Sequence, residues 1–304
     1  MVRRLDGLLQ GDYRTLFRGF GLELADLREY QFSDDIRYID WNVTARMQTP
    51  YVRQYVEDRE VTAWFLLDLS PSLDFGTVQT LKRNLLIDFV AVLARLLTRH
   101  GNRVGAILYT DRVQGVIPAQ SGKPQVLRLI NDLLNQPQLK RAPLTDLRTL
   151  LEAALRTFRR RSLVFIISDF ISAPGWDKPL GMLTQRHEVL AIRLYDPSET
   201  ELPDIGPLIL EDAETGEQLY TDTHDKHFRK RFVEAARRRE HELEVTFGRV
   251  GVDMLALSTK DDLAKEMVRF AMLRKQQKKN PAVLANSHLR GLSSQRSVTG
   301  GLDI

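Results

Sequence analysis

Five apolar runs constrain this chain more than any other feature: VTAWFLLDL (61–69), RVGAILYT (103–110), SLVFIISDF (162–170), HEVLAIRLY (187–195) and DMLALS (253–258). Each is nearly continuous rather than alternating. That is the pattern of strands buried on both faces, as in a parallel sheet covered by helices. Helix-period segments separate the runs. LKRNLLIDFVAVLARLLTRH (81–100) places apolar residues at 85, 86, 89, 90, 93, 96 and 97, one face of an amphipathic helix. Further helices are expected over 123–135, over 145–158 with Thr145 or Asp146 near the start, and over 224–243. RVQGVIP (112–118) adds a short strand. The expected fold class is α/β, a mostly parallel, Rossmann-like sheet covered by helices.

One segment breaks the rhythm. DPSETELPDIGPLILEDAETGEQLYTDT (196–223) reads as a loop and then a hairpin, with LILED and EQLYTD flanking the turn AETG. It is expected as an insertion. The domain plan is an N-terminal region over 1–60 packed on the main domain, the main domain over 61–273, and a flexible basic tail over 274–304.

Charge and composition exclude several functions. The chain has no cysteine, so thiolate metal sites, disulfides and cysteine nucleophiles are absent. The net charge of +4 resides in the tail, where Arg274, Lys275, Lys278, Lys279, Arg290 and Arg296 face a single acid, Asp303. The body is near neutral, and the tail lacks interleaved aromatics for base stacking, so no nucleic-acid partner is expected. No segment reaches the roughly 18 apolar residues of a membrane span, and the N-terminal stretch lacks the apolar core of a signal peptide. A cytoplasmic location is the expectation. The glycine-lysine pair in SGKP lacks a phosphate-loop pattern, since Ile117 and Pro124 stand where glycine and Ser/Thr are needed. His224 and His227 could share a helix face, but no zinc-type partner spacing accompanies them. Asp34, Asp35, Arg37, Asp40 and Arg46 are dense enough for a site, with surface ion pairing the commoner explanation.

The chemistry concentrates in WFLLDLSPSLDFG (64–76). An apolar strand ends on Asp68, with Ser70 and Ser72 at alternate positions, and a later strand ends on Asp169. In open α/β sheets, ligands bind at the carboxyl ends of strands. A carboxylate followed by two hydroxyls suits a hard cation that takes oxygen ligands. A turn with Asp68 or a serine capping the next helix would also account for DLSPS.

Asp68-x-Ser70-x-Ser72, then Thr145, then Asp169 resembles the metal-ion-dependent adhesion site of von Willebrand factor A-type domains. The resemblance implies a magnesium ion, with Mn2+ as the alternative, held by Asp68, Ser70, Ser72 and Thr145, with Asp169 acting through water. A narrower resemblance lies in LREYQFSDDIRYIDWNVTARMQTPYVRQYVEDRE (27–60), in YDPSETELPDIG and in LEDAETG. These segments are similar to domain-of-unknown-function family 58. That family carries a von Willebrand A-type domain and is associated with MoxR-type AAA ATPases. Two positions depart from its pattern: Ser33 and Pro143-Leu144 stand where glycine is usual.

The resemblance implies a non-enzymatic adaptor for a MoxR-type AAA ATPase, with a chaperone-like role in assembly or maturation. An open metal position would receive an Asp or Glu from a client protein. Two other readings remain. A metal-dependent hydrolase could use the same cation to activate water, with Asp169 as the available base. The tail could alternatively bind nucleic acid.

Overall fold

The computed structural model describes residues 26–32, 34–54, 61–77, 79–139 and 141–279. Its centre is a six-stranded sheet built from β3 (Thr62–Asp68), β4 (Arg103–Tyr109), β5 (Val113–Gln120), β6 (Leu163–Ser168), β7 (Glu188–Tyr195) and β10 (Asp253–Ser258), in the order β10-β7-β6-β3-β4-β5. All neighbours are parallel except β4 and β5, which pair antiparallel. The residues of β5 alternate between exposed and covered, with Ile117 buried, as expected of an edge strand with one solvated face.

The apolar runs are continuous because the sheet carries a core on each face. Phe65 and Leu67 of β3 and Phe165 and Ile167 of β6 join a core with α2 (Lys82–Arg99), α3 (Lys123–Leu134) and α7 (Leu263–Lys279). Leu66, Val164 and Ile166 point the other way, into a core with α4 (Leu147–Thr157), α5 (Asp177–Thr184) and α6 (Lys226–Val250). Successive strand residues therefore serve opposite layers. This is the expected mostly parallel α/β arrangement, a sheet covered by helices on both faces. Gly105 marks one close approach, since a Cβ there would lie 2.8 Å from both the Ile117 carbonyl oxygen and the Trp64 ring.

The inserted segment forms a separate antiparallel hairpin of β8 (Pro207–Glu211) and β9 (Gln218–Asp222). In the N-terminal region, β1 (Asp26–Glu29) pairs antiparallel with β2 (Tyr51–Gln54), and α1 (Trp41–Met47) lies between them in sequence. The helices differ from expectation in several places, since neither α1 nor α7 was expected. α5 was not anticipated, because its eight residues include Pro179 and Gly181 and carry a weak helical signal. α6 continues beyond residue 243 until Gly251 ends it in a left-handed conformation. α7 runs through 274–279, residues expected in the tail, while the remainder of the tail lies outside the described residues. No helix among the described residues is long and apolar enough to cross a membrane.

Candidate functional site

The chain leaves β3 towards β4 on one side, and after β5 returns to form β6 on the other, so the sheet order switches direction between β3 and β6. Such a switch opens a crevice at the carboxyl ends of the two strands. Asp68 ends β3, Ser168 ends β6, and Asp169 follows it. Asp68, Ser70 and Ser168 are fully buried, and Ser72, Thr145 and Asp169 are nearly so.

Backbone geometry presents the first three residues. Ser70 precedes a short 3-10 turn over Pro71–Asp74, which carries Ser72. Arg83 clamps this loop by donating to the Leu69 carbonyl at 3.0 Å and to the Asp74 carboxylate. Asp68 Oδ1 accepts from the Ser70 amide at 3.0 Å, and Oδ2 accepts from the Ser168 hydroxyl at 2.6 Å. Burial pushes the Asp68 carboxyl up to about 6, and the neighbouring charge of Asp169 adds to this against the opposing hydrogen bonds. The site thus holds a carboxylate that a cation would stabilise.

Thr145 reaches the same edge immediately before α4. Its carbonyl accepts from the Ala173 amide at 2.8 Å, and Asp146, the cap of α4, donates its amide to the Tyr109 hydroxyl at 3.0 Å. Both hydrogen-bond donors of Thr145 meet one carboxylate that the sequence did not single out. Glu214, in the turn between β8 and β9, accepts from the Thr145 amide at 2.7 Å through Oε2 and from the Thr145 hydroxyl through Oε1. Burial pushes the Glu214 carboxyl up, opposed by the Thr145 bonds and reinforced by Asp169 and Asp212.

Lys82 is the second unanticipated group. Its ammonium is fully buried and donates to Asp169 Oδ2 at 2.8 Å and to Glu199 Oε1 at 2.6 Å. Burial pulls the Lys82 ammonium down, but Asp169 and Glu199 outweigh it and the net direction is up. The other oxygen of Asp169 accepts from the Ile171 amide at 3.0 Å. Its sequence separation hides the cluster, since Asp169 is 87 and Glu199 117 positions from Lys82.

The donor set fits a hard cation in kind and in spacing. Ser70 Oγ and Ser72 Oγ lie 3.1 Å apart. Adjacent ligands of an octahedral Mg2+ at about 2.1 Å stand about 3.0 Å apart, so the two hydroxyls are at ligand-edge distance. Thr145 donates its hydroxyl proton to Glu214, which leaves its oxygen lone pairs available. No group of three or more His, Asp or Glu side chains forms a metal cage among the described residues, so the donor set depends on hydroxyls.

The remaining candidate groups have structural explanations. Asp35 and Asp40 accept amide hydrogen bonds at the starts of the 3-10 turn Ile36–Tyr38 and of α1. His224 pairs with Asp204 at 2.5 Å on the surface, and His227 is exposed.

The family description "Protein of unknown function DUF58" matches residues 26–242. The chain belongs to the DUF58 family. It is 37% identical over 273 residues to the uncharacterized protein Mb1516 of Mycobacterium bovis, covering 90% of this chain and 86% of that one. The uncharacterized protein Rv1480 of Mycobacterium tuberculosis matches to the same extent. Among solved structures, BatB from Bacteroides thetaiotaomicron aligns with a TM-score of 0.46 and 14% identity, over 71% of this chain and 99% of that one.

Proposed function

We propose that this DUF58 protein is a cytoplasmic, non-enzymatic adaptor that binds an acidic side chain of another protein through a divalent cation. Asp68, Ser70, Ser72 and Thr145 would hold Mg2+ or Mn2+, with Asp169 in the outer shell. When bound, the cation supplies an electrophilic position for an incoming carboxylate. The observation that carries this reading is the pair of buried hydroxyls of Ser70 and Ser72 at ligand-edge distance beside the buried Asp68. Their neutral oxygens limit the negative charge of the site, which favours a further anionic ligand.

The expected partner is a MoxR-type AAA ATPase, with this protein coupling nucleotide hydrolysis to a client in chaperone-like assembly or maturation. The family resemblance supports that choice. Docking is favoured over hydrolysis because Asp169, the available base, is buried and already accepts from Lys82 and Ile171. A general base must be free to receive a proton from bound water.

A purified MoxR-type AAA ATPase from the same source, titrated onto the immobilised full chain, tests the reading. Binding with Mg2+ that disappears with chelator and in Asp68→Ala is expected. Equal binding in all three conditions would remove the metal from the docking role, and metal-dependent turnover lost in Asp169→Asn would favour a hydrolase.

A further inference from the structure

The position that an external carboxylate would use has a carboxylate nearby already. Glu214 arrives from the tip of the β8–β9 hairpin, 69 residues along the chain from Thr145, and is itself buried. It engages both the amide and the hydroxyl of Thr145, one of the residues assigned to the cation. A capping role for a helix terminus does not explain this contact, because Asp146 already caps α4.

The hairpin is built to present that one side chain. Asp212 Oδ1 accepts from the Glu214 amide at 3.0 Å, the Thr215 amide at 2.7 Å and the Thr215 hydroxyl at 3.1 Å, which fixes the turn. Gly216 takes the left-handed conformation that closes it, with φ of 73°. The Ala142 amide donates to the Glu214 carbonyl at 3.1 Å, securing the tip to the loop that leads to Thr145. The base is tied separately, where the Thr223 amide and hydroxyl both donate to the Gly206 carbonyl at 2.8 Å. Between tip and base the strands are thinly covered. Ile209 and Tyr220, directly paired across the hairpin, are 49% and 75% exposed.

We propose that Glu214 is the resident acidic ligand of the cation site, and that a partner's Asp or Glu binds there by displacing the hairpin tip. The proposal rests on the cation-site reading above. The partner feature it specifies is an accessible carboxylate on a loop, chemically equivalent to Glu214. A tethered ligand competes at an effective concentration in the millimolar range, so a free carboxylate must overcome it or arrive with further contacts. The exposed hairpin strands can move with the tip while the buried sheet stays intact, because few core side chains belong to them.

The test uses the full chain, Mn2+ and a fluorescent peptide carrying residues 211–217. Free Mn2+ is followed by its paramagnetic resonance signal, and peptide binding by anisotropy. Mn2+ binding in wild type, lost in Asp68→Ala, establishes the cation site on which the proposal depends. Glu214→Ala and Glu214→Gln are then expected to bind the peptide about tenfold or more tightly than wild type, only with Mn2+. A peptide with amides in place of Glu211, Asp212, Glu214 and Glu217 should not bind, and glutamine at Glu214 alone should weaken binding. Asp212→Ala, which removes the acceptor that fixes the turn and keeps the Glu214 carboxyl, should shift affinity in the same direction by less. If Mn2+ binds through Asp68 but both Glu214 variants bind peptide as weakly as wild type, the resident-ligand proposal is wrong and the cation reading stands. If Mn2+ binding does not depend on Asp68, both fall. Unfolding midpoints of each variant identify any loss of affinity due to misfolding.

Discussion

The Lys82 ammonium lies 2.8 Å from Asp169 Oδ2, with neither side chain more than 1% exposed. Lys82 sits at the start of α2 and Asp169 just past the end of β6, so this ion pair joins a helix of one layer to the carboxyl edge of the sheet. Glu199 shares the ammonium from the loop after β7. Three elements therefore converge on one nitrogen.

Removing that nitrogen leaves two carboxylates without their cation. Lys82→Met, close in shape and uncharged, is expected to destabilise the fold by about 3–5 kcal/mol, the usual effect of breaking a buried pair from one side. Urea unfolding in chelator measures it. A loss below about 1 kcal/mol would mean that water or a side-chain rearrangement replaces the ammonium.

Asp68 is costly to bury next to Asp169, and a site kept for ligand binding often sacrifices stability in this way. Asp68→Asn can keep the Ser70 amide bond through its carbonyl oxygen and donate its amide to the Ser168 hydroxyl, which can rotate to accept. In chelator the variant is expected to melt higher by about 2–4 °C for each kcal/mol of charge burial relieved. It should lose the rise that Mn2+ gives wild type, because an ion that binds only the folded state stabilises it in proportion to its occupancy. A variant that melts lower in chelator and still responds to Mn2+ would contradict both parts.

The parts of the site that were legible in the sequence are the ones fixed by strand ends. Runs such as SLVFIISDF must place their last polar residues at the carboxyl edge, because every preceding residue is taken up by one core or the other. Asp68 and Asp169 followed from that rule. Lys82 did not, since a lysine in the first turn of an amphipathic helix has the sequence appearance of a solvated one. Glu214 was hidden similarly inside a turn sequence, AETG, whose polarity is explained locally by the hairpin. The hairpin was anticipated from LILED and EQLYTD flanking the turn AETG, whereas its reach to Thr145 depends on contacts between residues 69 positions apart. α5 was missed because its covering role lies in Leu180 and Leu183 while Met182 between them is exposed, and so short a pattern does not make a helical period.

Gly105 offers a test of the packing between β4 and its neighbours. A methyl group there would come within 2.9 Å of the Ala119 amide nitrogen as well as meeting Ile117 and Trp64, and two of those three contacts are backbone. Gly105→Ala should therefore destabilise by about 1–3 kcal/mol, as overpacking does, despite the better strand propensity of alanine. Equilibrium unfolding gives the value, and an unchanged midpoint would mean that β5, an edge strand, moves aside freely.

Asp196 directly follows β7 and is fully buried, and it ties three segments together. It accepts from the Thr77 amide at 2.8 Å, the Thr77 hydroxyl at 2.5 Å and the Thr259 hydroxyl at 2.6 Å, besides Ser198 in its own turn. Burial pushes its carboxyl up, but the hydroxyl and amide donors outweigh burial and hold it well below the usual carboxylate range. With the folded value depressed, the unfolded chain takes up the proton first as pH falls. The stability Asp196 contributes is complete above its unfolded value near 4 and is lost progressively at lower pH. Asp196→Asn should consequently be less stable than wild type at pH 7, and the gap should narrow between about pH 4 and pH 2 as wild type loses its advantage. Urea midpoints of the two proteins across that range decide the matter, since a gap that stays constant as pH falls would show that the carboxylate charge contributes nothing and that only the shape of the side chain is used.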